Sequence, residues 1–338
     1  MTNRFETLLN ARPWLLADGA TGTNLFNLGL EAGEAPELWN LDERDKIHAL
    51  YKGSVDAGSD IFLTNTFGGN ASRMALHDLD KRVHEINRIA AEIGREVADA
   101  ADREVIVAGS MGPTGEIMGA AGNLSHESAV EMFEEQAHGL IDGGADVLWV
   151  ETISAPEEYA AAAEAIGNTG APWCGTMSFD TAGRTMMGVT SVDMVSFVDG
   201  LATPPLAFGA NCGVGAADLL RTVLGMSSTE TPRPIIAKGN AGIPKYVDGH
   251  IHYDGTPELM AEYALLARDA GARIIGGCCG TMPQHLQAMR SALEATEPGP
   301  RPDHDRVQTA LGAFSSPNDG TESADQQPIR VRRGRRRG

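Results

Sequence analysis

Residues 128–152 read SAVEMFEEQAHGLIDGGADVLWVET. Val130, Phe133, Ala137 and Ile141 recur at helical spacing against Glu131, Glu134 and Glu135, which predicts an amphipathic helix over Ser128–Ile141. Gly143-Gly144-Ala145 stops it, since a helix end is closed most cheaply by a residue free to turn left-handed. Asp146–Glu151 (DVLWVE) follows as a near-continuous apolar run, the pattern of a strand buried on both faces in a parallel sheet. The stretch is therefore a helix, a small-residue stop, a buried strand and a polar strand end.

That unit recurs on both sides. Ala57-Gly58-Ser59 before Asp60 and Ala270-Gly271-Ala272 before Arg273 are equivalent stops. With Asp146–Glu151, the runs Trp14–Asp18, Asp60–Phe67, Val105–Ser110, Pro172–Ser178, Leu206–Asn211, Pro234–Gly239 and Arg273–Gly277 make eight strands. Pro156–Ile166 and Pro257–Asp269 read as helices opened by proline, the second after Thr256 as N-cap. Eight units spaced roughly 25 to 45 residues apart predict an α/β chain forming a single (β/α)8 TIM barrel over residues 1–300. A doubly wound open sheet is the alternative that the repeat leaves standing. From 301 to 338 the composition turns to Pro, Asp, Ser, Gly and Gln and the periodicity stops, so a disordered polar tail with an Arg-rich end is expected there.

Composition bounds the partners. The 338 residues are 42% hydrophobic and 22% charged, enough for a large core, and carry a net charge of −19. Six of the 27 Lys and Arg residues lie in the last nine positions, so the body is more acidic still. Such a field repels nucleic acid and anionic membranes, and no partner of either kind is expected. Arg4, Glu6 and Arg12 interrupt the N-terminal stretch and no apolar run approaches the ~18 residues of a membrane span, so the expectation is a cytoplasmic protein, with a homo-oligomer left open. Four cysteines, Cys174, Cys212, Cys278 and Cys279, are too few for a disulfide scaffold, and the adjacent pair could not bridge without distortion.

In a barrel of this kind chemistry gathers at the C-terminal strand ends. Cys212 ends the sixth strand and Cys278-Cys279 the eighth, one strand apart around a closed ring, so three thiolates can converge on one metal ion and leave a fourth position open. Both members of the pair reach one ion only if the chain turns there, which Gly276, Gly277 and Gly280 permit. Cys174 lies earlier in its strand and reads as a small buried side chain. Gly109–Gly115 lacks the Lys-Ser/Thr of a phosphate loop and reads as a tight turn, and His250 and His252 with Asp254 read as a polar loop rather than a second metal site.

The segments DGATGTNL (18–25), LTNTFGGN (63–70), GSMGPTGE (109–116), ETI (151–153), GANCG (209–213), GNAGIP (239–244) and GGCCGT (276–281) together resemble the homocysteine S-methyltransferase family, over residues 14 to 290. The resemblance implies a zinc-dependent (β/α)8 enzyme with Cys212, Cys278 and Cys279 as Zn2+ ligands. It implies transfer of a methyl group from a small onium donor to the thiol of homocysteine, giving methionine, with Asp18 and Glu151 binding the amino-acid part or the cationic donor. Backbone N–H groups of Gly19, Gly276 and Gly277 would take the homocysteine carboxylate, and Asn211 and Asn240 either buttress the metal loops or satisfy strand-end backbone.

The wording is most similar to short bacterial betaine–homocysteine methyltransferases, so glycine betaine is the donor expected first. S-methylmethionine or another sulfonium, or service as the homocysteine-binding module of a corrinoid system with a separate methyl carrier, are the alternatives. Two departures bear on the donor: Gly68 and Thr152 stand where the animal branch has aromatic residues that contact it. Phe67, Trp39, Trp173, Tyr246 and Tyr253 are the aromatics left to draw a cation–π cage from.

Overall fold

The computed structural model describes residues 3–119, 122–242, 245–247 and 250–320, with backbone alone for 245–247 and 250–252. Every expected strand forms: β1 (Leu15–Leu16), β2 (Ile61–Leu63), β3 (Ile106–Met111), β4 (Val147–Ile153), β5 (Trp173–Met177), β6 (Ala207–Cys212), β7 (Ile235–Gly239) and β8 (Ala272–Gly277). Neighbours pair in parallel in the order β1-β8-β7-β6-β5-β4-β3-β2, and a bridge from Ala17 to Ile61 joins the two ends. The sheet is a (β/α)8 barrel and not a doubly wound layer.

The β1–β2 junction is built partly from side chains. Asp60 N–H donates to Leu16 O at 2.6 Å, but Leu16 N–H donates to the Asp60 carboxylate at 2.9 Å and Leu63 N–H to the Asp18 carboxylate at 2.8 Å. Asp60 is fully buried and also pairs with Arg12, Arg103 and Arg290, which satisfies a charge that burial alone would not tolerate.

Alternation along the strands fills the ring. Leu15, Ile61, Ile106, Val147, Cys174, Ala207, Ile236 and Ile274 point inward in one cluster with Trp149, and the helix Arg4–Ala11 plugs the bottom with Phe5, Leu8 and Leu9. Cys174 is accordingly a core residue with no exposure. Continuing in steps of two, the same parity aims Ser110, Glu151, Thr176, Asn211 and Lys238 at the C-terminal mouth. Register places Asn211 opposite Lys238 and Lys238 opposite Gly276.

Outside the ring, the helix read from the opening stretch runs His126–Asp142, capped by Ser125, with Val130, Phe133 and Ala137 buried. Gly58, Gly144 and Gly271 take φ values of +103, +93 and +105, as helix stops require. The region read as a polar loop after β7 contains a short antiparallel pairing of Lys245–Val247 with His250–His252. The side chains of Tyr246, His250 and His252 lie outside the described residues.

The expectation for residues 301–338 is corrected in part. The helix His304–Leu311 packs on the outside of the barrel, with Val307 fully buried. Arg301 donates to Leu224 O at 2.7 Å, Arg221 to Ser316 O at 2.7 Å, and Ser315 N–H to the Asp218 carboxylate at 3.0 Å. The segment docks through arginines and backbone carbonyls and through a short apolar face, Val307, Ala310, Leu311 and Phe314, at helical spacing within an otherwise polar stretch. Residues 321–338, with the Arg-rich end, lie outside the described residues. Among the described residues no helix is long and apolar enough to cross a membrane.

Candidate metal centre and cavity

Cys212, Cys278 and Cys279 converge: their sulfurs lie within 4.8 Å of one another, with 3.9 Å between Cys212 and Cys279. Backbone conformation brings them there. Cys212 ends β6 at φ +60, a left-handed setting that costs a non-glycine residue energy and turns its side chain out of strand parity. Past β8, Cys278 N–H donates to Gly239 O at 2.7 Å and Thr281 N–H to Cys278 O at 3.1 Å, so the pair sits in a turn that closes through Gly280 at φ +77. Both adjacent thiols thereby face one point.

Two asparagines hold the loops. Asn240 Oδ1 accepts from Cys279 N–H at 3.0 Å while its amide donates to Gly213 O at 2.9 Å, tying the two cysteine loops together. Asn211 donates to Thr152 Oγ1 at 2.7 Å, accepts from Thr152 N–H and Thr176 Oγ1, and approaches Cys278 Sγ at 3.7 Å. Each therefore satisfies backbone and braces the thiols as well.

The donor set fits a soft divalent metal. Crowding and burial hold these thiols above the ordinary range: Cys212 is pushed up to about 12, first by its hydrogen bond with Cys278, and Cys279 to about 11, first by Cys212. Thiols so crowded become thiolates when a cation compensates them, and three sulfurs leave a fourth position for a ligand.

The thiols open onto a cavity of about 270 Å3 bordered by Gly19, Glu37, Phe67, Glu151, Thr152 and Lys238 among others. Glu151 is buried and accepts from Ser110 Oγ at 2.5 Å, and desolvation raises its pKa against the opposing attraction of Lys238. Gly19 lies so close to Thr281 that a Cβ would fall 2.6 Å from its carbonyl oxygen.

This geometry bears on three expectations. Asp18 stands just behind the residues that border the cavity: one oxygen accepts from Lys238 Nζ at 2.7 Å and the other from Leu63 N–H. Gly276 and Gly277 do not border it either, and Gly277 N–H is already donated to Asp18 O at 2.9 Å. Of the four aromatics whose side chains are described, Phe67 alone borders the cavity. Trp39 and Trp173 are core residues, and Tyr253 lies against Gly280 and hydrogen-bonds Cys279.

Two wall residues went unread in the sequence. Lys238 was visible as a lysine within PIIAKG, at the inward parity of Ile236. Glu37 sits in the single 3-10 turn Pro36–Leu38, far from any strand end, and accepts from Gly68 N–H at 2.6 Å, a placement that nothing local announces.

A closed barrel carrying three convergent thiols able to hold a metal ion at its C-terminal mouth, beside a buried carboxylate, is a scaffold suited to activating a thiol. Comparison with known proteins gives the family. The family model for homocysteine S-methyltransferase matches residues 15–293, and the chain belongs to that family. It is 28% identical over 331 residues to a methionine synthase of Mycobacterium leprae, covering 93% of this chain and 27% of that one. The chain thus spans about a quarter of the length of that relative. Among solved structures it is similar to the homocysteine methyltransferase MmuM from Escherichia coli. The metallated form matches at TM-score 0.70 and 24% identity, over 86% of this chain and 99% of that chain. The oxidized form matches at TM-score 0.70 and 25% identity, over 86% and 99%.

Proposed function

We propose that this chain transfers a methyl group from a small onium donor to the thiol of L-homocysteine, giving methionine, with Zn2+ held by Cys212, Cys278 and Cys279. The observation that carries the reading is the three-thiol cluster opening onto a cavity walled by Glu151. Zinc, when bound, supplies a substrate thiol in its deprotonated, nucleophilic form.

The chain's own residues do the rest. Glu151, steadied by Ser110, takes the substrate ammonium, and a cation arriving beside it restores the charge that burial disfavours. Gly19 offers backbone at the wall. Asn211 and Asn240 hold the cysteine loops so that attack on the methyl group proceeds in line. Phe67 and Glu37 border the cavity at the side where a cationic methyl carrier is best received, and Glu37 occupies space beside Gly68 that a larger residue there would fill.

Glycine betaine is the donor put first, and a sulfonium such as S-methylmethionine is the alternative. The test is methionine formation by the zinc-loaded chain with homocysteine and each of betaine, S-methylmethionine and dimethylsulfoniopropionate. Turnover with betaine supports the reading in full. Turnover with sulfoniums alone replaces the donor and keeps the rest. No turnover with any free donor overturns the stand-alone enzyme. It would favour a homocysteine-binding module served by a separate methyl carrier, a reading that the short span against methionine synthase also accommodates.

A further inference from the structure

Lys238 is 2% exposed in its side chain and borders the cavity, yet among the described residues its ammonium has one hydrogen-bond acceptor, Asp18 Oδ1 at 2.7 Å. An ammonium carries three N–H donors. Glu151 attracts it through space without a hydrogen bond and spends an oxygen on Ser110 instead. Apart from the Trp149 ring 5.7 Å away, two donors are therefore left at a cavity wall. Donors on a buried charge favour whatever acceptor enters the cavity, and a ligand carboxylate offers more than solvent does.

The chemistry of that acceptor follows from its surroundings. The ionisable carboxyls bordering the cavity are Glu37 and Glu151, so an incoming anion is drawn to the cation in the wall. Lys238 is the cation that borders the cavity, fixed in place by Asp18. We infer that Lys238 binds a substrate carboxylate through its two remaining N–H donors, with Asp18 as the positioning residue that holds the ammonium at the wall. Resting on the proposed methyl transfer, the inference names two zwitterions able to bring that carboxylate: homocysteine itself, and a carboxylated onium such as betaine. It also gives Asp18 a role alongside the direct contact expected of it.

The experiment removes the carboxylate from one ligand at a time. Affinities of the zinc-loaded full chain are measured by calorimetry for L-homocysteine against 3-aminopropane-1-thiol, and for glycine betaine against tetramethylammonium. In the unaltered chain one pair should differ by about 10- to 100-fold, the worth of a charge-assisted hydrogen-bonded contact. In Lys238→Met that ratio should collapse to within about threefold for the same pair, with zinc content unchanged, and the pair that collapses identifies the source of the carboxylate. A ratio that survives in Lys238→Met, or no discrimination in the unaltered chain, overturns the inference.

Lys238→Met leaves Asp18 buried and unpaired. The double variant Asp18→Asn/Lys238→Met removes both charges and gives the same readout if the single variant does not fold. The calorimetric arms need no turnover, so loss of the carboxylate preference is distinguishable from absence of methionine formation, which bears on the proposed reaction alone.

Discussion

Glu151 shows the tension between a buried site and a stable fold. Its pKa is raised by burial, so its contribution to stability is present below the ordinary carboxylate range and lost as pH rises through the higher folded value. At neutral pH the folded chain carries that penalty, and Glu151→Gln relieves it. The expected result is a variant with a higher melting temperature at pH 7, no gain near pH 4, and kcat/KM lower by about 10- to 100-fold with zinc retained. A melting temperature that falls at pH 7 would show that the carboxylate is stabilised in ways its partners do not reveal. At the metal centre the expectation is simpler. Cys212→Ala, Cys278→Ala and Cys279→Ala should each lose most of the bound zinc in metal analysis, whereas Cys174→Ala keeps it, since Cys174 lies inside the ring. The three-thiol cluster was legible in the sequence because cysteines at two strand ends, one strand apart, have few other uses. Lys238 escaped because a lysine in an apolar strand becomes meaningful only once strand parity shows which way it points. The partner of Asp18 within the wall, Lys238, was not legible, since sequence spacing carries no information about a residue 220 positions away.

Elements were more legible than contacts. All eight strands and the helix-stopping glycines followed from local pattern, because a buried parallel strand and a left-handed stop each leave a signature within a few residues. The docked segment after residue 300 left only a short one. Its helix His304–Leu311 buries Val307 and packs Ala310 and Leu311, with Phe314 just beyond, on the core, an apolar face of four residues in a stretch dominated by Pro, Asp and Ser, and it begins beyond the stretch that matches the family. Deleting residues 301–338 strips Asp218 and the buried Arg221 of the Ser315 and Ser316 contacts. The urea midpoint should then fall, with a loss of about 2 to 4 kcal/mol. Deleting only 321–338, whose composition offers no apolar face, should leave the midpoint where it was. Equal midpoints for the two deletions would mean that the outer helix contributes nothing.

At the scale of the whole molecule, charge separates the candidate donors. A net charge of −19 attracts a cation such as S-methylmethionine over distance and does little for a zwitterion such as betaine. Raising ionic strength from about 10 mM to 150 mM shortens the screening length from roughly 30 to 8 Å. The kcat/KM for S-methylmethionine should therefore fall several-fold while that for betaine changes little. Parallel salt dependences would place the control of both donors inside the cavity. The ring itself has a clasp. Between β1 and β2, where a full ladder would run, the backbone bridge at Ala17 and Ile61 is supplemented by two carboxylates, Asp60 near the floor and Asp18 near the mouth. The upper catch is the same Asp18 that accepts from Lys238, so a ligand engaging Lys238 is expected to bear on how firmly the hoop stays shut. Amide hydrogen exchange at Leu63 reads this directly: a carboxylated ligand that quiets Lys238 should slow exchange there more than at Ile106 on the neighbouring strand, and the barrel would report its cargo through its own fastening.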